Sequence, residues 1–142
     1  MSQYAKKLLR AGTVNQAIRI IADHGRRFFY SDSQDRYASI EVDYRGRIWW
    51  IDDYSGKRIY THKAGLGNEW YGFTHGGTLR HLVERFRDYV STGIPISTWL
   101  LGPQREWDVS NIWGYPEEDM QKVRELAGAL PCFDRQLAGG GK

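Results

Sequence analysis

The sequence predicts an α+β fold: an antiparallel β-meander of three to five strands packed against about three amphipathic helices. Three observations predict it. Hydrophobic residues recur with a period of 3.6 near the start of the chain, with a period of 2 between residues 27 and 63, and with 3.6 again in two later segments. Each helical segment carries its own start or stop signal, and the two turns of the three-stranded meander each contain a glycine, Gly46 and Gly56. The changes of period fall at those signals, so local and global patterns agree.

The first helix is expected over residues 13–24, with Thr13 as cap, Gln16 at the capping-box spacing, and Val14, Ala17, Ile18, Ile21 and Ala22 on one face. Gly25 supplies its left-handed stop. Arg19, Arg26 and Arg27 complement the negative end of its dipole, a structural role that accounts for them. Ala38, Ile40 and Val42 then alternate with Ser39, Glu41 and Asp43, Arg45-Gly46 turns the chain into Ile48–Ile51, and Asp53–Gly56 turns it into Lys57–His62. Phe28-Phe29-Tyr30 is expected as a fourth strand, joined through the polar turn 31–35.

Thr78 is the expected N-cap of a helix over 78–91, whose apolar stripe is Leu79, Leu82, Val83, Phe86 and Val90 and whose stop is Gly93. A third helix over 116–130 follows from Pro116 in its first turn, Glu117, Glu118 and Asp119 at the positive dipole end, and Pro131 beyond it. The intervening stretch, 94–115, holds Trp99, Trp107 and Trp113 in irregular surroundings.

Composition bounds the function. A chain of 142 residues, 41% hydrophobic and 14% aromatic, buries roughly 68–70% of its unfolded surface and forms one core without disulfides or a structural metal. A single domain over 1–138 with a flexible tail at 139–142 is expected. The longest apolar clusters fall far short of the roughly 20 residues of a membrane helix, and the lone Cys132 has no disulfide partner, so no membrane and a reducing, cytoplasmic address are expected. The net charge of +3 resides in the first half, +4 for residues 1–71 against −1 for residues 72–142.

The chemistry-bearing side chains form no complete catalytic signature. His62, His75 and His81 lie in one stretch, yet no His-x-x-x-His or Cys pair completes a metal site, and His81 belongs to a polar helix face with Arg80, Glu84 and Arg87. Asp52 and Asp53, near Glu41 and Asp43, offer carboxylates for metal or acid–base work, but Asp53 opens a turn where its side chain serves the backbone, and alternation turns Glu41 and Asp43 to solvent. Gly65-x-Gly67 and Gly76-Gly77-Thr78 match neither a dinucleotide fingerprint nor a P-loop. Cys132 has no nearby histidine to activate it. No cofactor is expected.

Cations and aromatics are interleaved in the meander: Arg45, Arg47, Trp49, Trp50, Lys57, Arg58, Tyr60, His62 and Lys63. On one sheet face such groups stack bases and neutralise phosphates, although alternation sends part of the set into the core and +3 is far below a dedicated basic stripe.

The segment Gly56-Lys57-Arg58-Ile59-Tyr60-Thr61-His62, then Trp70-Tyr71-Gly72-Phe73 with Gly76-Gly77-Thr78-Leu79-Arg80, and Leu101-Gly102-Pro103 with Trp113-Gly114-Tyr115, resembles a family of small uncharacterised proteins carried by phages, prophages and plasmids. The resemblance runs from about Ala22 to Cys132. It implies a mobile-element accessory protein acting in the cytoplasm of a bacterial host, and small proteins of that kind often bind and block a host factor, CRISPR and restriction machinery included.

The expected function is therefore non-enzymatic binding of a host macromolecule, a protein or protein complex first, through Trp99, Trp107, Trp113 and Tyr115. The second reading is a nucleic-acid-binding module using Arg45, Arg47, Trp49, Lys57, Arg58, Tyr60 and Lys63. The third is a metal-dependent enzyme built from Asp52, Asp53, His62 or His75.

Overall fold

In the computed structural model, which describes residues 1–24, 28–62, 70–75, 77–101 and 116–134 and only the backbone of Thr78 and Trp99, the chain opens with a long helix, α1 (Gln3–Asp23). The helix starts ten residues before the expected position. Ser2 is its cap, accepting from the Ala5 N–H at 3.0 Å, and Thr13 lies mid-helix, its hydroxyl turned back to the Leu9 carbonyl. Residues 3–12 are good helix formers apart from Gly12, and nothing between Ser2 and Thr13 breaks the helix, so the earlier cap prevails. The inward face runs from Ala11 through Val14, Ala17, Ile18, Ile21 and Ala22, the last five as expected, and Tyr4, Leu8 and Leu9 stay exposed. The stop assigned to Gly25, with Arg26 and Arg27, lies outside the described residues, whereas Arg19 stacks over the Tyr37 ring at 4.1 Å.

Among the described residues, seven strands follow in three small sheets. β1 (Tyr30–Ser31) and β2 (Arg36–Tyr37) form a separate two-stranded hairpin and do not extend the meander. Phe29 explains the break. It has φ of +69° and is fully buried, so the chain turns there instead of running on as a strand.

The meander itself is as the alternation predicts: β3 (Ser39–Val42), β4 (Ile48–Ile51) and β5 (Arg58–Tyr60), antiparallel in that order. Ile40, Trp50 and Ile59 stand opposite one another and point into the core. One edge is closed by a device absent from the sequence pattern: the Asn15 side chain donates to the Ile40 carbonyl at 3.0 Å and accepts from its N–H at 2.7 Å, satisfying the free edge of β3 from α1. Gly56 takes φ of +70° in the second turn, with Arg36 packed where a Cβ would stand.

α2 (Gly77–Thr92) covers the inner face with α1, burying Leu82, Val83, Phe86 and Val90. It begins at Gly77, so Thr78 is a helical residue and not the cap. Gly93, at φ of +81° and donating to the Tyr89 carbonyl, ends it as expected. A short strand β6 (Ile96–Ser97) and a 3-10 turn (Thr98–Leu101) lead out of α2. α3 (Glu117–Ala127) has Pro116 as its N-cap and Gly128 as its C-cap, stopping three residues before the expected end. The chain then returns as β7 (Phe133–Asp134), parallel to β6 with Ile96 opposite Phe133. Residues 135–142, which include the expected tail, lie outside the described residues.

Candidate functional site

The outer face of the β3–β4–β5 sheet carries the densest set of predicted site residues. Period-2 alternation sends Ile48, Trp50 and Ile59 inward and leaves Arg47, Trp49, Arg58 and Tyr60 on the opposite side. Glu41, Trp49 and Tyr60 stand in one cross-strand row. The Trp49 and Tyr60 rings lie 5.1 Å apart and His62 continues the line, 5.7 Å from Tyr60. The Arg58 guanidinium rests 4.1 Å from the Trp49 ring centre, and that of Arg47 lies 5.7 Å from it.

Asp43, in the β3–β4 turn, organises this face. Its Oδ2 accepts from the Trp49 indole at 2.9 Å and the Arg47 Nε at 2.8 Å, and its Oδ1 accepts from the Arg45 and Arg47 backbone N–H groups. Partial burial raises the Asp43 carboxyl, but donation from Trp49, Arg47 and Arg45 outweighs it and holds the group well below the ordinary value of 3.8. A depressed native value makes stability greatest above the unfolded value and removes it as pH falls through the native one. Asp43→Asn is therefore expected to melt below the wild type at pH 7, the difference closing only under acid conditions below the ordinary carboxylate range; melting curves from pH 7 to pH 2 check this.

Two more elements supply cations where β4 begins and β5 ends. Lys7 of α1 donates to the Gly46 carbonyl at 3.1 Å, and Arg87 of α2 donates to the Thr61 carbonyl at 2.5 Å. His62 lies between them. Partial burial pulls its imidazole below the ordinary value, and Arg87 and Lys7 pull it further against the opposing Asp88. Neither Lys7 nor Arg87 is marked by strand alternation, which is why sequence reading passed over them.

The remaining nucleic-acid candidates divide. Arg45 sits at the turn tip, donating to the Tyr44 hydroxyl at 3.1 Å, and Lys57 is exposed at the far end of β5 from His62. Lys63 lies outside the described residues, as do Trp107, Trp113, Tyr115 and the side chain of Trp99.

Asp52, Asp53 and His75 are brought together on the other side of the second turn, with their roles exchanged. Asp52, fully buried, serves the turn, accepting from the Tyr54 and Ser55 N–H groups and the Ser55 hydroxyl, and it also takes the Thr74 N–H and hydroxyl. Asp53, assigned that turn role from the sequence, instead pairs with His75 Nε2 at 2.7 Å, beneath the rings of Phe28, Phe29 and Phe73. The reason is reach: the residue that ends the strand, not the next one, faces the turn's N–H groups. His62 lies apart from this pair, and among the described residues no three His, Cys, Asp or Glu side chains gather as a metal site would require. His81 is exposed beside Glu84, and Cys132 is buried, its thiol pushed up to about 12 by that burial. Among the described residues no helix is long and apolar enough to cross a membrane.

No solved structure matches the chain. It is 33% identical over 122 residues to the SPbeta prophage-derived uncharacterized protein YoqU of Bacillus subtilis (strain 168), a match covering 86% of this chain and 81% of that protein. The YoqU family model matches residues 4–135, a wider span than the motifs from Ala22 to Cys132 indicate. The prophage relative agrees with the mobile-element setting that the family resemblance implies. On both matches, the chain belongs to the YoqU family.

Proposed function

We propose that this protein is a non-enzymatic accessory protein of a mobile element that acts in the host cytoplasm by binding a host macromolecule, with inhibition of host defence, of the anti-CRISPR or anti-restriction kind, as the consequence. The observation that carries the reading is the outer sheet face. Among the described residues the helices pack on its opposite side, and on this side Trp49, Tyr60, Arg47 and Arg58 stand together. Aromatic and arginine side chains dominate the energetics of interfaces, and here they are already ordered by one another, which lowers the entropy cost of binding. Trp99, Trp107, Trp113 and Tyr115 form the second proposed contact surface.

The test is recovery of a partner by the tagged full-length chain from a bacterial host, with and without nuclease treatment. The wild type is expected to retain a partner. The charge reversal Arg58→Glu is expected to lose it without a change in melting temperature, and Trp107→Ala and Trp113→Ala report separately on the second surface. Equal retention by the charge-reversed variant would overturn the assignment to the sheet, and absence of any specific partner would overturn the binding reading.

A further inference from the structure

We infer that the outer face of β3–β5 takes single-stranded nucleic acid, a base resting on the Arg58 guanidinium where it covers Trp49 and the neighbouring phosphates meeting Arg47 and Lys7. This rests on the proposed binding function and gives its partner a chemistry.

The stacking surface is preformed. Arg58 lies against the Trp49 indole and meets no carboxylate among the described residues, so a base can be laid on the guanidinium without first breaking an ion pair. Planar guanidinium groups and aromatic rings are the surfaces on which proteins stack unpaired bases. Tyr60 and His62 extend the aromatic line beyond the first base, with centre-to-centre steps of 5.1 and 5.7 Å from Trp49.

Charge complementarity identifies the backbone that would follow this line. Lys7, Arg47 and Arg87 reach the same end of the sheet from α1, the first turn and α2. Lys7 gives one of its three ammonium donors to the Gly46 carbonyl and meets no carboxylate among the described residues. The nearby carboxylates are already used: Asp43 accepts from Trp49, Arg45 and Arg47, and Asp88 lies between Arg85 at 2.9 Å and Arg87 at 3.0 Å. The depressed imidazole of His62, caused first by partial burial and then by Arg87, reports the positive surroundings. Glu41, exposed opposite Trp49, turns a polyanion away from the β3 side and toward β5.

A duplex presents phosphates to these cations but keeps its bases in its own stack, so it forgoes the Arg58–Trp49 surface. Nothing in the pairing calls on a 2′-hydroxyl, so DNA and RNA single strands are equivalent ligands here. An acidic protein surface would use the charges and leave the stacking plane idle.

The experiment is fluorescence anisotropy of labelled single strands of about 12 thymidines or 12 uridines, and of a 12-base-pair duplex, with the full-length chain at 50 and 200 mM NaCl. Both single strands are expected to bind within a few-fold of each other, and the duplex about tenfold more weakly. Two to three neutralised phosphates predict a loss of about 7- to 20-fold between the two salt concentrations. Arg58→Ala is expected to weaken single-strand binding about tenfold. Arg58→Lys, which keeps the charge and loses the plane, is expected to fall nearly as far while retaining the salt dependence. Arg58 is solvent-exposed, so unchanged melting temperatures of both variants certify the fold. No binding at 50 mM NaCl, a duplex bound as tightly as the single strands, or full rescue by Arg58→Lys would each overturn the inference. A protein partner retained through nuclease and lost in the charge-reversed variant, with no oligonucleotide bound, would leave the binding function standing and remove this ligand.

Discussion

Trp50→Ala is expected to lower the unfolding free energy by about 3–5 kcal/mol, the largest single-residue effect we predict. Trp50 is the central residue of the central strand, fully buried, with Phe29 and Phe73 against it at 5.1 and 6.2 Å. Truncation removes the transfer energy of the indole and leaves a cavity that strands paired on both sides cannot collapse into. One detail separates this residue from an ordinary core aromatic. Its Nε1–H has no acceptor among the described residues, so part of the burial energy is spent on an unpaired donor. Trp50→Phe removes that donor with the smaller part of the ring and is expected to cost under about 2 kcal/mol. Urea denaturation of both variants measures the contrast. A phenylalanine variant as damaged as the alanine one would show that ring volume, not the orphaned donor, decides the site.

The second large effect is expected at Asp52, where replacement by alanine should cost about 3 kcal/mol. Its two oxygens collect donors from both sides of a gap of 22 residues: Tyr54 and Ser55 in its own turn, and Thr74 in the approach to α2. Loss of the side chain strands these N–H groups, and it also releases the segment that Asp53 holds through His75 one residue further on. Asp52→Asn keeps one acceptor but points an amide donor at other donors, so it is expected to recover less than half of the loss. A cost below about 1 kcal/mol for the alanine variant, read in the same denaturation series, would show that water replaces the carboxylate without penalty.

These two residues also mark how far the sequence could be read. The inward set of the meander follows from alternation alone, because a one-residue slip would put Trp50 in water and Arg58 in the core. The division of Trp49 from Trp50, and hence the grouping of Arg47, Trp49, Arg58 and Tyr60, was legible for the same reason. The helical stripes of α1 and α2 were legible where they pack. The start of α1 was not, since Tyr4, Leu8 and Leu9 form no inward stripe and the Ser2 cap is only one residue from the N-terminus. Pairings between distant segments left no local trace: Asn15 on the edge of β3, Thr74 on Asp52, His75 on Asp53, and β6 beside β7. Each is a local contact made available by the finished fold, and none repeats with a period. Phe29 was misassigned because β propensity describes its side chain and not the positive φ that its burial imposes.

The seclusion of Cys132 has a practical consequence. Its thiol lies in the core and is pushed up to about 12, so at neutral pH it offers almost none of the thiolate on which alkylating and oxidising reagents act. The native thiol is therefore expected to react only slowly with maleimides, which labelling of the folded chain at neutral pH checks. A cysteine placed at an exposed position of the sheet margin, such as Lys57, can be coupled selectively to a fluorophore or a photo-crosslinker without altering the native residue.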